Sequence, residues 1–304
     1  MTPDRVDLFE ADIAQSPDAL ARLLDAWQPV DFGADGRVVF TGLGSSRFAG
    51  DVVAPLLRAS GRSAWVEIAG DDPSTLPATD VTLIAISASG NTPEVIEAAR
   101  RHHGRSRVLA VTNRPDSELA AAADHIVALG AGDEAAGIAC RTFRATIAVL
   151  ALATRTASVE DLRAAVGGLS ARLGERPVWA PPLVEGLDGA EGIDVLAAGP
   201  MLGVAEQAAL MLREAPRLPA RAVSTTDWLH TGVYLARSGH RLALFPGARA
   251  DAEVESVAAR RGTTFVTIPA GHGDAVVRAI VDSVGMECVA ADLWDRTDAH
   301  DKMP

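Results

Sequence analysis

Two short loops gather glycine and small hydroxyl residues: Gly42-Leu43-Gly44-Ser45-Ser46-Arg47-Phe48-Ala49-Gly50 and Ser87-Ala88-Ser89-Gly90-Asn91-Thr92. Each follows an apolar run and precedes a helical pattern, the second opening on Pro93-Glu94. A strand, a Gly/Ser turn and a helix N-terminus offer amides, hydroxyls and the positive end of a dipole to an anion. Serines in such places also cap helices, which is the blander reading of either loop alone. Two loops leaving strands of one sheet fit ligand binding better, because open α/β sheets bind beyond the carboxyl ends of their strands. A dinucleotide site does not fit, since Gly42-x-Gly44 lacks the third glycine at its required place and Glu67 has no support as a ribose contact. No Gly-Lys-Ser/Thr sequence supports a nucleotide P-loop either. The hydroxyl pattern of Gly44, Ser45, Ser46, Ser87, Ser89 and Thr92 suits a small phosphomonoester. One more residue stands out: the 28 Lys+Arg residues include a single lysine, Lys302.

Such loops need a scaffold, and the flanking pattern predicts one. Short apolar runs alternate with Ala/Leu/Arg/Glu-rich segments of helical period, as in a parallel sheet with crossover helices. Strands are predicted near Val38–Gly42, Trp65–Ala69, Leu83–Ser87, Val108–Thr112 and Ile126–Leu129. The pattern then restarts near Asp194–Ala198, Arg221–Val223, Leu242–Phe245, Thr264–Ile268 and Glu287–Ala290. The expected class is α/β, a tandem repeat of a parallel β-sheet sandwiched by helices in the flavodoxin-like three-layer αβα manner. Residues 1–30 read as an N-terminal helix, 31–173 as a first domain and 193–304 as a second domain with a C-terminal tail. Residues 174–192 read as a linker, because Pro177, Pro181 and Pro182 fall there among glycines and acidic residues.

Composition narrows the classes. At 304 residues the chain can bury a sizeable core without staples. Its 28 basic against 40 acidic residues give a net charge of −12, which argues against nucleic acid or an anionic membrane as partner. Uncharged runs such as Ala145–Thr154 fall far short of the roughly 20 residues of a membrane helix, and no signal peptide is expected, so the cytoplasm is the expected location. Cys140 and Cys288 form no CxxC and no His/Cys cluster, so neither a zinc site nor a disulfide framework is indicated. A chemistry without metal or cofactor is expected.

The two loops resemble the phosphate-binding loops of the sugar isomerase (SIS) domain family, whose second loop normally reads Ser-Gln-Ser-Gly-Glu/Asp-Thr. The chain resembles the isomerase half of glucosamine-6-phosphate synthase (glutamine–fructose-6-phosphate aminotransferase) and its stand-alone phosphosugar deaminase, deglycase and isomerase relatives. Val111-Thr112-Asn113 and the following Ser117, Leu119, Ala120, Ala123 and Asp124 resemble the family's next strand and helix, and Glu134 to Phe143 its Glu-x-x-Val-Ala-x-Thr-Lys-x-Phe stretch. The resemblance runs from about Val38 to the C-terminus, implying two tandem SIS domains. It gives Ser46, Ser87, Ser89 and Thr92 the phosphate-gripping role. Glu214, ending Ala205-Glu206-Gln207-Ala208-Ala209-Leu210-Met211-Leu212-Arg213-Glu214, falls on the family's catalytic glutamate. His230, in Asp227-Trp228-Leu229-His230-Thr231-Gly232, falls on its catalytic histidine, although the family's Gly-Pro after the histidine is replaced. Lys302, which follows Asp295-Arg296 after five intervening residues, occupies the position of the terminal Schiff-base lysine. Trp228 either walls a sugar pocket or packs in the core.

The chemistry this implies is an aldose–ketose isomerisation or a C2 deamination of a hexose 6-phosphate such as glucosamine 6-phosphate or fructose 6-phosphate. Opening a sugar ring and moving a proton between C1 and C2 needs one acid–base group for each task. A partly buried Glu214 suits the proton transfer, His230 the ring opening and Lys302 an imine with the carbonyl. Phosphate held by the first half would set the sugar's register for the chemistry of the second. The resemblance also implies a homodimer, because the family's histidine loop serves a neighbouring subunit. The glutamine amidotransferase domain of the synthases is not seen, so hydrolysis of glutamine is not expected. The alternative is a non-catalytic phosphosugar-binding sensor or regulatory protein, which Ala88, Asn91, Ala139 and Thr231-Gly232 favour by departing from the catalytic pattern.

Overall fold

A computed structural model describes residues 4–30, 36–71 and 75–297. The chain divides into two compact units, one of residues 18–132 and 141–163, the other of residues 1–17, 133–140 and 164–304. Two helices precede the first strand where one was expected: α1, Arg5–Ala14, belongs to the second unit, and most of α2, Ser16–Ala26, to the first. Asp4 caps α1, accepting from the Asp7 amide at 2.9 Å.

The first unit continues through β1 (Arg37–Gly42), α3 (Ser45–Ala59), β2 (Ala64–Ile68), β3 (Val81–Ile86), α4 (Pro93–His102), β4 (Arg107–Thr112), α5 (Glu118–Ala121), β5 (His125–Ala128) and α6 (Arg141–Thr154). Its five strands are all parallel, in the order β2-β1-β3-β4-β5. Every residue of β3 is buried, as expected of a central strand covered on both faces. Side chains alternate between those faces. Val39, Leu83, Ala85, Val108 and Ala110 form one face and pack with Val95, Ile96 and Ala99 of α4. Phe40 points the other way, toward α3, where a Cβ on Gly50 would stand 3.0 Å from Phe40 Cβ, so glycine lets helix and strand approach.

Helix α7 (Val159–Gly174) leads into the second unit, followed by α8 (Arg176–Leu187), β6 (Gly192–Ala197), α9 (Met201–Glu214), β7 (Ala220–Ser224), α10 (Thr225–Trp228), a 3-10 turn (Gly232–Leu235), β8 (His240–Leu244), α11 (Asp251–Arg261), β9 (Thr264–Thr267) and α12 (Ala275–Asp295). The four strands are parallel, in the order β7-β6-β8-β9. The strand order of the first sheet thus recurs, one strand short. The missing fifth strand was expected at Glu287–Ala290, which lies inside the 21-residue α12. A short apolar run cannot by itself distinguish a buried strand from a buried helix. What decides here is length: Asp274 caps α12 by accepting from the Val276 and Val277 amides, each at 2.9 Å, and the mostly apolar, buried stretch then continues to Trp294.

The expected linker is also helical. Pro177 sits in the first turn of α8, where a missing N–H costs nothing. Trp179, Ala180, Leu183, Val184 and Leu187 are buried in one stripe, and that burial holds α8 together despite Pro181 and Pro182. Among the described residues no helix is long and apolar enough to cross a membrane.

Candidate functional site

In the first unit β1 lies between β2 and β3, so the chain leaves β1 toward one side for β2 and returns to the other for β3. The carboxyl ends of β1 and β3 therefore flank the point where strand order reverses, the usual ligand site of an open α/β sheet. Both hydroxyl loops occur there. After β1, Gly44 adopts φ 51°, a left-handed backbone that favours glycine, and α3 starts at Ser45. A Cβ on Gly42 would stand 3.1 Å from the Ile86 carbonyl oxygen at the end of β3 and 3.1 Å from Ser46 Cβ, so the two strand ends nearly touch. Helix α3 has no side-chain cap and no acidic residue in its first turn, where Ser45 and Ser46 are half-buried. That combination favours an anion.

The loop after β3 is built partly on itself. Ser87 is buried; its Oγ accepts from the Gly90 amide at 3.1 Å and lies 2.8 Å from Thr92 Oγ1. The Asn91 amide donates to Ser89 Oγ at 3.2 Å. Gly90 has φ 67°, and a Cβ there would collide with Ser117 Oγ, so this turn is closed to any larger residue. Ser89 is exposed and Thr92 half-buried, ahead of α4. Ser45, Ser46, Ser89 and Thr92 thus face outward from the switch point, whereas Ser87 supports the loop from inside.

The corresponding switch point of the second unit, between β6 and β8, repeats the backbone without the hydroxyls. Gly199 has φ 57°, but Pro200 and Met201 follow it where Ser45 and Ser46 follow Gly44. A cavity of about 180 Å³ there is lined by Ala198, Pro200, Met201, Phe245 and Arg278. Its one guanidinium is engaged, donating to the Pro246 carbonyl at 2.9 Å and pairing with buried Asp282.

Glu214 is the last residue of α9. It is half-buried, and no side-chain hydrogen bond or ion pair reaches it among the described residues. Burial raises its pKa above the usual carboxylate range, opposed only by neighbouring Arg213. The negative end of the α9 dipole acts in the same direction as burial. An unpaired, partly dehydrated carboxyl group of this kind is suited to carrying a proton.

His230 is exposed on the turn after α10, its amide donating to the Asp227 carbonyl at 2.9 Å. Trp228, two residues earlier, is fully buried and belongs to the core beside Leu196, Leu242 and Leu244; it is not a pocket wall. The structure does not bring Glu214 and His230 together. Successive crossovers that run in opposite directions across a parallel sheet lie on opposite faces when both are right-handed. The crossover β6–α9–β7 and the connection from β7 to β8 are such a pair. Glu214 and His230 therefore belong to elements on opposite faces of the second sheet. Lys302 lies outside the described residues.

One charged group was not anticipated. Asp194 is fully buried at the third position of β6, where the third position of β1 is Val39. It accepts from Arg221 Nε at 2.6 Å and from Trp228 Nε1 at 2.9 Å, and lies 3.1 Å from His240 Nε2. Burial works to raise its pKa, but His240 and Arg221 outweigh burial and hold it below the usual range. A carboxylate inside an otherwise apolar strand was the available signal. Among the described residues no cluster of His, Cys, Asp or Glu could hold a metal ion, and Cys140 and Cys288 are buried and form no disulfide.

Comparison with known proteins agrees with this geometry. Residues 33–155 match the family model of the SIS domain. The glutamine–fructose-6-phosphate aminotransferase (isomerizing) of Sulfolobus acidocaldarius is 26% identical over 233 residues, covering 75% of this chain and 40% of that protein. The enzyme of the same name from Aeropyrum pernix is 31% identical over 225 residues, covering 68% of this chain and 36% of its own. The match thus spans about two fifths of the length of these curated relatives. The crystal structure of glucosamine-6-phosphate deaminase from Thermotoga maritima shares the fold, with a TM-score of 0.80 at 18% identity over 95% of this chain and 94% of that one. Strand order, the two hydroxyl loops and the matched segment lead to one assignment: residues 33–155 are an SIS domain.

Proposed function

We propose that the protein is a phosphosugar isomerase of the aldose–ketose or deaminase type, acting on a hexose 6-phosphate related to glucosamine 6-phosphate and fructose 6-phosphate. The observation that carries this reading is the outward set of Ser45, Ser46, Ser89 and Thr92 around the uncapped start of α3, within the segment that matches the SIS model. Hydroxyls and amides hold a dianion through several hydrogen bonds without needing a basic side chain. The second sheet, with its repeated strand order, is read as a second SIS domain in tandem.

In this reading the phosphate fixes the sugar, and Glu214 carries a proton between its carbons. Deamination would proceed by ring opening, assisted by His230, and removal of the C2 proton by the Glu214 carboxylate. The resulting enolamine is reprotonated at C1 to a C2 imine; water adds to that imine and ammonia leaves, giving the ketose phosphate. Simple isomerisation uses the same proton transfer with a hydroxyl in place of the amine. Lys302 is proposed to displace ammonia from the C2 imine, forming a lysyl imine at C2 that water then hydrolyses to the ketose phosphate and the free lysine. The protein is proposed to be a cytoplasmic homodimer, supported by the placement of Glu214 and His230 on opposite faces of one sheet, which leaves room for a second copy to supply the histidine.

The test is a coupled assay of ammonia and fructose 6-phosphate release from glucosamine 6-phosphate, beside phosphosugar-induced thermal shifts. Turnover that disappears in Glu214→Gln establishes the enzyme. Stabilisation by hexose 6-phosphates with no turnover in any direction establishes instead a phosphosugar-binding protein, and the absence of both overturns the reading.

A further inference from the structure

The buried carboxylate of Asp194 has no counterpart in the first sheet, where Val39 fills the same step of the same central strand with apolar contacts. A charge in the middle of a strand otherwise made of Gly192, Ile193, Val195, Leu196 and Ala197 costs stability unless it is fully paired. Packing therefore gives no reason for it, and its partners show what it does instead. Arg221 on β7 and His240 on β8 hold it from both flanking strands. Its remaining contact is the indole N–H of Trp228 at 2.9 Å.

Trp228 is the residue on which the next turn is built. A Cβ on Gly232 would collide with the Trp228 ring, so the backbone at 232 lies directly against the indole. The Thr231 amide returns to the Asp227 carbonyl at 3.0 Å, and Thr231 Oγ1 reaches the same oxygen at 3.0 Å. Between these fixed points His230 is exposed. Without the Asp194 bond the indole would be held by dispersion and apolar burial alone, which restrain a ring's depth better than its rotation.

We propose that Asp194 is a positioning residue that acts through Trp228 to fix the turn presenting His230. This rests on the reading of His230 as an acid–base group. The bond specifies orientation: the one polar atom of the indole can be satisfied in the core in one ring setting, and the 229–232 backbone follows that setting.

The experiment combines Trp228→Phe, His230→Asn and the double variant, with turnover of glucosamine 6-phosphate and amide hydrogen exchange over residues 229–236 as readouts. Trp228→Phe keeps a buried ring and removes only the donor. The expected result is a fall in kcat of about tenfold or more with KM changed by less than about twofold, since a misplaced group of this kind slows chemistry rather than binding. In the His230→Asn background Trp228→Phe should then cost nothing further, because both act on one group. Asp194→Asn, whose amide oxygen still accepts from the indole, should retain more kcat than Trp228→Phe. Additive losses, or the reverse order of these two variants, overturn the route through Trp228. A His230→Asn variant with wild-type turnover overturns the role of His230 and the positioning role with it. If no hexose 6-phosphate is turned over, exchange decides: faster exchange at 229–232 in Trp228→Phe sustains the anchor, and unchanged exchange refutes it.

Discussion

Ser87 Oγ and Thr92 Oγ1 lie 2.8 Å apart across the base of the loop that leaves β3, one buried and the other half-exposed. The pair divides two tasks. Ser87 accepts from the Gly90 amide and holds the Thr92 hydroxyl at the base of the loop, while exposed Ser89, whose Oγ accepts from the Asn91 amide, and half-exposed Thr92 are the hydroxyls of this loop that an anion can reach. Ser89→Ala and Thr92→Ala are each expected to weaken hexose 6-phosphate binding by roughly tenfold, since a hydrogen bond to a charged group contributes about 1.5–3 kcal/mol. Ser87→Ala should instead lower the melting temperature of the free protein as well as its affinity. Titration calorimetry and thermal unfolding of the three variants separate the roles.

Gly90 should tolerate no side chain. Its φ of 67° and the Ser117 hydroxyl behind it both oppose a Cβ. Gly90→Ala is expected to cost about 1–3 kcal/mol from backbone strain, with further loss from displaced Ser117. Denaturant unfolding measures it. A variant as stable as the wild type would contradict the loop geometry.

Glu214 carries a stability signature as well as a chemical one. Its pKa is raised by burial, so the ionised form is disfavoured in the folded chain relative to the unfolded one. For an acid shifted upward, native stability is greatest below the ordinary carboxylate pKa and falls as pH rises through the raised value. Glu214→Gln removes that loss. The variant should match the wild type in acid, unfold at a higher temperature than the wild type at neutral pH, and lose about 10²–10⁴-fold in turnover. Thermal unfolding across pH, set beside the assay, tests both halves of this statement.

Complementation between copies tests the dimer. Glu214→Gln and His230→Asn homodimers should each be nearly inactive. Mixing them under conditions of subunit exchange should restore activity toward a quarter to a half of wild type if each site takes its glutamate and histidine from different chains. Sedimentation of the wild type as a monomer, or no recovery on mixing, would remove the intersubunit site.

Much of this arrangement was readable from the chain. Nine strands fall within about two residues of their expected places, because β-branched and small apolar runs in a two-sided parallel sheet carry a strong local signal. The hydroxyl loops were equally visible, since glycine with hydroxyl residues between a strand and a helix is a local pattern. The failures are those that need tertiary information. Glu287–Ala290 is helical because of how far the apolar run extends on either side, and Pro181 and Pro182 are held in a helix by a buried stripe. Nothing local distinguishes Ser87 from Ser89, although one hydroxyl turns inward and the other outward. The Asp194 group joins β6, β7, β8 and α10, whose residues span 194 to 240, so only strand order reveals it.

Gly44 and Gly199 make the same left-handed step after the central strand of their own sheet, with φ 51° and 57°. Serines follow the first and Pro200-Met201 follows the second. The shared step shows that the turn itself is chemically neutral: it delivers a helix start to the sheet's end and leaves the next two side chains to decide whether that place is wetted or sealed. Two side chains after one shared backbone step thus separate a helix start that presents hydroxyls from one that presents apolar groups, without a change in the path of the chain.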